Sequence, residues 1–241
     1  MGKIKGSFAT SYDRFVKRAS LLPEGLLWLL KELGAREILE FGCGTGNVAV
    51  GLAIEGYCVT GVDYSKDMLD AARRKAVKHK VEIDYYLDDI SRVNIARKFD
   101  LILCLGNIIP QFTSVSSLRR VLENATKHLK PGGHMLIQQL NYERILAERP
   151  MTFSIDQDGN VVRFKQYRYR GKLIDFVVTI VDGDTVPPTT VSSRITLSPW
   201  RKKQLVTLFK GVGFKRITAF ANYKKDRFSK SSKDLILLAQ T

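Results

Sequence analysis

The chain of 241 residues is poor in the features that mark secreted, membrane-spanning and metal-binding proteins. It has three cysteines, Cys43, Cys58 and Cys104, and their odd number and wide spacing exclude a disulfide framework and a zinc site. Free thiols are typical of a reducing compartment. No run of apolar residues is long enough to cross a membrane, and residues 1–5 lack the apolar core of a signal peptide. We therefore expect a cytoplasmic globular protein that holds no metal.

Acidic residues are scarce relative to basic ones. Lysine and arginine number 39 against 24 for aspartate and glutamate, which gives a formal net charge of +15. A balance of this kind attracts anions, nucleic acid among them. The basic residues are nevertheless spread over the whole chain, with groups at 73–80, 163–172 and 224–233. This spread favours a solvated surface over one nucleic-acid patch and leaves nucleic acid as a second choice of partner.

One stretch carries the strongest functional signal: an apolar strand, a glycine-rich turn, a helix, and a second strand that ends in an acid. The turn is Gly42-Cys43-Gly44-Thr45-Gly46, and the acid is Asp63 at the end of Val59–Asp63. Glycines let the backbone turn sharply and approach a ligand closely. An acid about 20 residues further on is placed to accept hydrogen bonds from ribose hydroxyls. The pattern predicts a nucleoside-containing cofactor at the carboxyl end of a parallel sheet.

The residues beside the turn indicate which cofactor this is. Glu40 precedes the first glycine, where a carboxylate is unsuited to a pyrophosphate but suits a cationic amino-acid group, and no Walker lysine follows. The segment resembles motif I of the class I S-adenosylmethionine-dependent methyltransferases, which reads acid-x-Gly-x-Gly-x-Gly. The resemblance implies that Asp63 binds the ribose. It also implies that the methionine part of the cofactor is met by Glu40, Gly42, Cys43, Gly44 and Gly46.

The resemblance continues along the chain in the order of the family's motifs. Asp89 and Ile90 resemble the acid and apolar residue beside the adenine ring, and Phe99–Cys104 resembles the fourth strand. Leu129–Gly133 resembles the turn before the fifth strand. The further cofactor contacts that this resemblance implies are Tyr12, Tyr64, Met68, Leu105 and Gly106.

Strands and helices alternate through the first 140 residues, which predicts a parallel sheet with helices on both faces. The predicted strands are 37–41, 58–62, 82–86, 100–104 and 134–140, and the predicted helices are 47–55, 66–78 and 114–128. A helix at 199–210 and a hairpin of 214–220 with 234–239 follow near the end. The expected fold class is α/β, with a doubly wound, seven-stranded, mostly parallel sheet.

From Thr152 the pattern changes to short alternating strands separated by turns, which predicts an antiparallel β insertion after strand five. We therefore expect a Rossmann-like cofactor-binding core at 1–141 and a β lid over the substrate at 142–198. Residues 199–241 then return to the core with the last helix and the hairpin. The lid also offers a surface for a homo-oligomer. His128 and His134 flank a turn and are expected on the surface.

The segment after the fourth strand bears on the methyl acceptor. Enzymes that methylate exocyclic amines of nucleobases carry Asp/Asn-Pro-Pro-Tyr/Phe there, whereas this chain has Asn107-Ile108-Ile109-Pro110, which argues against such an enzyme. Cys104-Leu105-Gly106-Asn107 instead resembles the glycine/sarcosine N-methyltransferase branch. This implies a small-molecule acceptor, with nitrogen as the acceptor atom. The substrate contacts predicted with it are Asn107, Gln111, Tyr142 and Tyr167.

No catalytic residue is predicted, because the cofactor brings the activated carbon and the protein mainly aligns the acceptor and excludes water. Two alternatives stay open. The basic charge suits an RNA (tRNA or rRNA) methyltransferase that uses the same cofactor. The fold would also suit a protein that binds S-adenosylmethionine without turnover, since a fold does not establish chemistry.

Overall fold

The computed structural model describes residues 21–241, so Tyr12, one of the predicted cofactor contacts, lies outside the described residues. The central strands are β1 (Glu37–Phe41), β2 (Cys58–Asp63), β3 (Asp84–Leu87), β4 (Phe99–Cys104), β5 (Leu129–Leu140), β10 (Arg216–Phe220) and β11 (Asp234–Gln240). They form one seven-stranded sheet in the order β10-β11-β5-β4-β1-β2-β3. Strands β1 to β5 pair in parallel, and β11 is antiparallel to both of its neighbours. The predicted fold class is confirmed.

Helices cover both faces of this sheet. Successive residues of a strand point to opposite sides, so each face carries apolar side chains that a helix can bury. The helices are α1 (Leu26–Glu32), α2 (Asn47–Ile54), α3 (Lys66–His79), α4 (Val115–His128), α5 (Tyr142–Glu148) and α6 (Lys202–Gly211). On one side Ile38 of β1 belongs to a buried cluster with Leu29 of α1. On the other side Leu39 belongs to a cluster with Leu118 of α4 and Leu205 of α6. The two clusters fix the sheet between its helical layers.

Two serine caps set where the helices beside the site begin. The Ser65 hydroxyl accepts a hydrogen bond from the Met68 N–H at 3.4 Å, directly after the tip of β2. Ser114 and Ser117 form a capping box at the start of α4, in which each side chain accepts the other's backbone N–H. Both caps satisfy N–H groups that a helix start leaves without partners. The helix starts near the carboxyl ends of β2 and β4 are therefore well defined.

A second, four-stranded sheet follows α5 in the chain. Its strands are β6 (Thr152–Asp158), β7 (Val161–Arg170), β8 (Leu173–Asp182) and β9 (Thr189–Leu197), paired antiparallel in this order. Tyr167 and Ile174 of this sheet pack against Tyr142 and Ile145 of α5 in a buried cluster. The predicted antiparallel insertion is confirmed, and this cluster joins it to the central sheet through α5.

Two local predictions are wrong. The turn expected at Leu129–Gly133 lies inside β5, because Phe99 pairs with Leu129 and the next pair joins Leu101 to His134, which leaves a bulge in β5. His128 is buried, with 4% of its surface exposed. Its Nε2 accepts a hydrogen bond from the Ile95 N–H at 3.1 Å, so a loop distant in sequence covers the ring. In residues 21–241 no helix combines the length and apolar character needed to span a bilayer.

Candidate active site

The predicted glycine turn lies at the carboxyl ends of β1 and β2. Gly42, Gly44 and Gly46 have φ angles of +72°, +55° and +75°, a left-handed conformation that side chains disfavour. The Gly42 N–H donates to the Val62 carbonyl at 2.8 Å and ties the turn to β2. A Cβ built on Gly44 would meet no atom within 4 Å, so this residue faces open space. At Gly44 the turn therefore presents bare backbone to open space, whereas Ile108 packs against Gly42 and Ala72 packs against Gly46.

Asp63 ends β2 and is buried, with 7% of its surface exposed. One carboxylate oxygen accepts the Gly44 N–H and the other accepts the Ser65 N–H, both at 2.9 Å. The carboxylate therefore fixes the glycine turn relative to the start of α3. Each oxygen has a second lone pair, so the group can accept further hydrogen bonds from a ligand.

Glu40 differs from Asp63, because one oxygen of its buried carboxylate has no hydrogen-bond partner among the described residues. Burial raises the pKa of Glu40 to about 8, and the nearby charge of Asp63 acts in the same direction. The Ala49 backbone N–H lowers this pKa. A buried acceptor without a donor is costly, and a cationic group beside it would stabilise the ionised form.

The residues predicted to contact adenine are more exposed. Asp89 is half-buried, and its carboxylate accepts the Ser91 N–H at 2.8 Å, while Ile90 beside it is buried. Met68 is half-buried in the first turn of α3. Tyr64 follows Asp63 and is 76% exposed. These residues lie around the carboxyl ends of β2 and β3, and their contacts with a ligand stay predictions.

The tip of β4, Leu105–Ile108, forms the wall opposite the glycine turn. Gly106 has a φ of +71°, and a Cβ built on it would meet no atom within 4 Å. A Cβ on Gly42 would lie 2.9 Å from Cγ1 of Ile108, so the two walls touch at this point. We call the space bordered by the glycine turn, Asp63 and Gly106 the cofactor crevice.

The crevice fits an amino-acid-bearing nucleoside. Open space over Gly44 and Gly106 leaves room for the amino-acid chain of such a ligand. The buried Glu40 oxygen that has no hydrogen-bond partner suits the ammonium group of that chain. The spare lone pairs of Asp63 suit two ribose hydroxyls. These residues therefore satisfy the requirements of S-adenosylmethionine, which combines all three groups. Cys43 is buried in the turn, and burial raises the pKa of its thiol, so this residue is no candidate nucleophile.

Three of the predicted substrate contacts lie in or near the β4 tip. Asn107 donates from Nδ2 to the Tyr142 hydroxyl at 2.9 Å, and Gln111 is half-buried in the 3₁₀ turn Ile109–Gln111. Tyr142 is 1% exposed, and burial raises the pKa of its phenol. The fourth, Tyr167, is buried in the four-stranded sheet, with its ring 5.5 Å from that of Phe176.

Two polar residues that sequence reasoning missed also lie at this edge. Gln138 of β5 accepts the Gly106 N–H at 2.8 Å, and its amide donates to Asp234 of β11 at 2.9 Å. Gln138 has no distinctive local signal, because the same strand also carries Lys130, His134 and Gln139. Nothing local marks Asp234, which is 96 residues away along the chain.

The fold and the crevice define a Rossmann-like protein that binds a nucleoside cofactor, and comparison with known proteins narrows this class. Residues 38–133 match a family model described as a methyltransferase domain. A glycine/sarcosine N-methyltransferase of Parasynechococcus marenigrum (strain WH8102) is 28% identical over 230 residues, covering 91% of this chain and 78% of that protein. A ubiquinone biosynthesis O-methyltransferase of Rickettsia akari (strain Hartford) is 30% identical over 46% of this chain and 43% of its own length.

Solved structures share the fold. The crystal structure of an S-adenosylmethionine-dependent methyltransferase from Clostridium acetobutylicum ATCC 824 superposes with a TM-score of 0.84, 20% identity, and 97% coverage of both chains. With the matched domain and the relatives, these findings confirm the resemblance seen in the sequence. The chain contains a methyltransferase domain at residues 38–133 and shares its fold with S-adenosylmethionine-dependent methyltransferases.

Proposed function

We propose that this enzyme transfers a methyl group from S-adenosylmethionine to nitrogen of a small-molecule acceptor. The observation that carries the proposal is the β4 tip, where Asn107 and the buried Tyr142 hydroxyl form a hydrogen-bonded pair beside the open space at Gly106. An uncharged amide and phenol can orient a small polar acceptor without adding a charge. The relative that acts on glycine and sarcosine supports nitrogen, whereas the ubiquinone O-methyltransferase keeps oxygen as the competing acceptor atom.

The cofactor, when bound, supplies an activated methyl carbon for in-line displacement. In the proposed mechanism Asp63 would hold the ribose of the cofactor and Glu40 would hold its ammonium group. Asn107, Gln111 and Tyr142 orient the acceptor at the β4 tip. The β sheet at 152–197, which we propose as a substrate lid, excludes water with Tyr167 on its inner side. Alignment of this kind is the main contribution that such a protein makes to rate.

The test is acceptor-dependent formation of S-adenosylhomocysteine in a panel of matched compounds. Amino acids and amino sugars are compared with the corresponding hydroxy acids and sugars, which lack the amine. We expect turnover with members of the amine series only. Turnover confined to the hydroxyl series would assign oxygen instead, and binding of the cofactor with no turnover across broad panels would favour the non-catalytic alternative.

A basic surface makes RNA the second candidate acceptor. On the outer face of α4 and α6 the exposed charged side chains are one acid, Glu123, and the cations Arg119, Arg120, Lys127, Lys203 and Lys210. The two helices adjoin, because Arg119 Nη1 lies 3.4 Å from the Gly211 carbonyl oxygen. If this face binds RNA, binding of a tRNA transcript should weaken steeply between 50 and 200 mM salt, by roughly 10³-fold for about six phosphate contacts. Weak binding that does not depend on salt would exclude it.

A further inference from the structure

The β4 tip adopts a backbone conformation that needs support from its surroundings. Gly106 and Asn107 both have positive φ angles, +71° and +66°, and the second is not a glycine. Strained residues of this kind persist where neighbouring groups hold them, and they are frequent at functional sites. The tip here borders the cofactor crevice, so its support bears directly on the shape of the site.

Gln138 supplies much of that support from β5. Its side-chain oxygen accepts the Gly106 N–H at 2.8 Å, and its backbone oxygen accepts the Asn107 N–H at 3.3 Å. The Asn107 side chain adds a third link, since its oxygen accepts the Leu140 N–H at 3.1 Å. One residue of the neighbouring strand therefore receives the N–H groups of both left-handed residues.

Asp234 determines which way the Gln138 amide faces. An ionised carboxylate only accepts hydrogen bonds, so the NH₂ group of Gln138 must point to Asp234, where the distance is 2.9 Å. The amide oxygen is then left facing the Gly106 N–H. Without Asp234, the amide could turn and present an N–H to an N–H. The carboxylate thus orients the glutamine, and the glutamine holds the tip.

We propose that Gln138 and Asp234 are positioning residues that hold Gly106 as one wall of the cofactor crevice and so set the affinity for S-adenosylmethionine. The contact of Ile108 with Gly42 transmits the position of the tip to the opposite wall. The inference rests on the cofactor site used in the proposed function. It does not depend on the identity of the acceptor, and neither residue is required to touch the reacting atoms.

Several charged groups surround Asp234 and bear on any test that varies pH. Burial raises the pKa of its carboxyl, while the hydrogen bond from Gln138 and the charges of Lys233 and Arg144 lower it. Tyr223, in the segment between β10 and β11, is also close, because the Asp234 charge contributes to the raised pKa of its phenol. The sharpest test therefore changes the polarity of the pair and compares each variant with the unsubstituted enzyme at the same pH.

The decisive variant is Gln138→Glu, which sets two carboxylates against each other. One of them must take up a proton to relieve the repulsion, so its pKa rises strongly. We expect the dissociation constant for S-adenosylhomocysteine, measured by calorimetry, to rise about tenfold relative to the unsubstituted enzyme at pH 8. This ratio should shrink towards pH 6, where the pair shares a proton.

The rescue variant is Gln138→Glu combined with Asp234→Asn. The asparagine NH₂ then donates to the glutamate, whose other oxygen still accepts the Gly106 N–H, so affinity should return to within about threefold of the original at pH 8. Gln166→Glu, at an exposed lid position, is the control for adding a carboxylate and should change nothing. Thermal unfolding of each variant checks the fold, and Asp234→Leu, which removes the acceptor without repulsion, replaces Gln138→Glu if the latter does not fold.

The outcomes separate cleanly. The inference would be overturned if Gln138→Glu bound S-adenosylhomocysteine as tightly as the unsubstituted enzyme at pH 8. It would also be overturned if the double variant bound as weakly as Gln138→Glu at every pH. Either result would leave the proposed function intact. If the unsubstituted enzyme itself did not bind S-adenosylhomocysteine, both the proposed cofactor site and the inference would be wrong. A rise in the dissociation constant that the second substitution reverses, with unchanged unfolding temperature, supports a positioning role.

Discussion

Glu40 and Asp63 stand at the ends of neighbouring parallel strands, and their carboxylates have opposite hydrogen-bond status. Both oxygens of Asp63 accept backbone N–H groups at 2.9 Å, whereas one oxygen of Glu40 has no partner among the described residues. The charge of Asp63 contributes to the raised pKa of Glu40. The Asp63 carboxylate therefore holds the glycine turn and keeps a second lone pair on each oxygen, whereas the Glu40 carboxylate has an oxygen left to pair with a ligand cation.

The first prediction is that cofactor binding releases a proton from Glu40. The pKa of Glu40 is raised to about 8, so the group is mostly protonated at pH 6.5 and must ionise to pair with an ammonium. Affinity for S-adenosylhomocysteine should then rise by up to about tenfold per pH unit from 6 towards 8. Calorimetry in buffers of different ionisation enthalpy should count close to one proton released per ligand at pH 6.5.

The matched variant for this prediction is Glu40→Gln, which has no proton to release. It should bind S-adenosylhomocysteine with almost no proton release and with an affinity that varies little with pH. Glu55→Gln, an exposed residue after α2, should behave like the unsubstituted enzyme. Equal proton release by the enzyme and by Glu40→Gln would show that another group responds to the ligand.

The same carboxyl predicts how stability without ligand depends on pH. A group whose pKa is higher in the folded than in the unfolded state stabilises the fold below its unfolded pKa, and that contribution is lost as pH rises through the folded pKa. For Glu40 the window runs from the ordinary value of 4.5 to about 8. Within it the free energy of unfolding should fall by up to about 1.4 kcal/mol per pH unit because of this residue.

Other groups titrate in the same range, so the informative quantity is the difference between the enzyme and Glu40→Gln. Thermal unfolding should show the enzyme losing up to about 3–6 °C more per pH unit than the variant between pH 5.5 and 7.5. Parallel curves for the two proteins would mean that burial of Glu40 does not hold its proton in the folded state.

A third prediction separates backbone strain from ligand contact in the glycine turn. Gly34 and Gly44 have φ angles of +63° and +55°, and a Cβ on either would meet no atom within 4 Å. Alanine at either position should therefore cost a similar stability, about 1 kcal/mol, from the left-handed backbone alone. Only Gly44→Ala should abolish measurable cofactor binding, because its methyl group enters the cofactor crevice. Retained binding by Gly44→Ala would move the ligand away from the turn.

Asp63 gives a fourth prediction, which tests its two structural hydrogen bonds together with its proposed role. Asp63→Ala leaves the Gly44 and Ser65 N–H groups without their acceptor and should cost about 1–3 kcal/mol in binding of the cofactor. Asp67→Ala, an exposed acid in the first turn of α3, is the control and should bind normally. Calorimetry measures the affinity of each variant for the cofactor, and equal affinities of Asp63→Ala and Asp67→Ala would exclude Asp63 from the site.

The parts of this site that could be predicted from the sequence are those with local causes. The glycine turn, the Ser65 cap and the Asp63 strand tip each follow from residue types within a few positions of one another. The burial of His128 and the bulge in β5 could not be predicted in this way. They depend on the loop around Ile95 and on pairing with β4, which are tertiary contacts.

The residues that support the β4 tip are harder still to predict from the local sequence. Gln138 and Asp234 are joined across neighbouring strands, 96 residues apart in sequence, and the order of strands in the sheet brings them together. The sequence pattern indicated that the tip matters, through Leu105, Gly106 and Asn107. It held no signal for what holds the tip in place, because that depends on the pairing of β11 with β5.

The last prediction concerns Asn107, whose backbone and side chain have separable roles. Asn107→Gly should adopt the φ of +66° without strain. Asn107→Ala should have a free energy of unfolding about 1 kcal/mol lower than that of Asn107→Gly. Both substitutions remove the hydrogen bond to Tyr142, so both should lower turnover to a similar extent. Urea unfolding measures the first effect, and turnover of the acceptor found in the panel measures the second. Full turnover by Asn107→Gly would show that this position serves the conformation of the tip and leaves acceptor orientation to Tyr142 and Gln111.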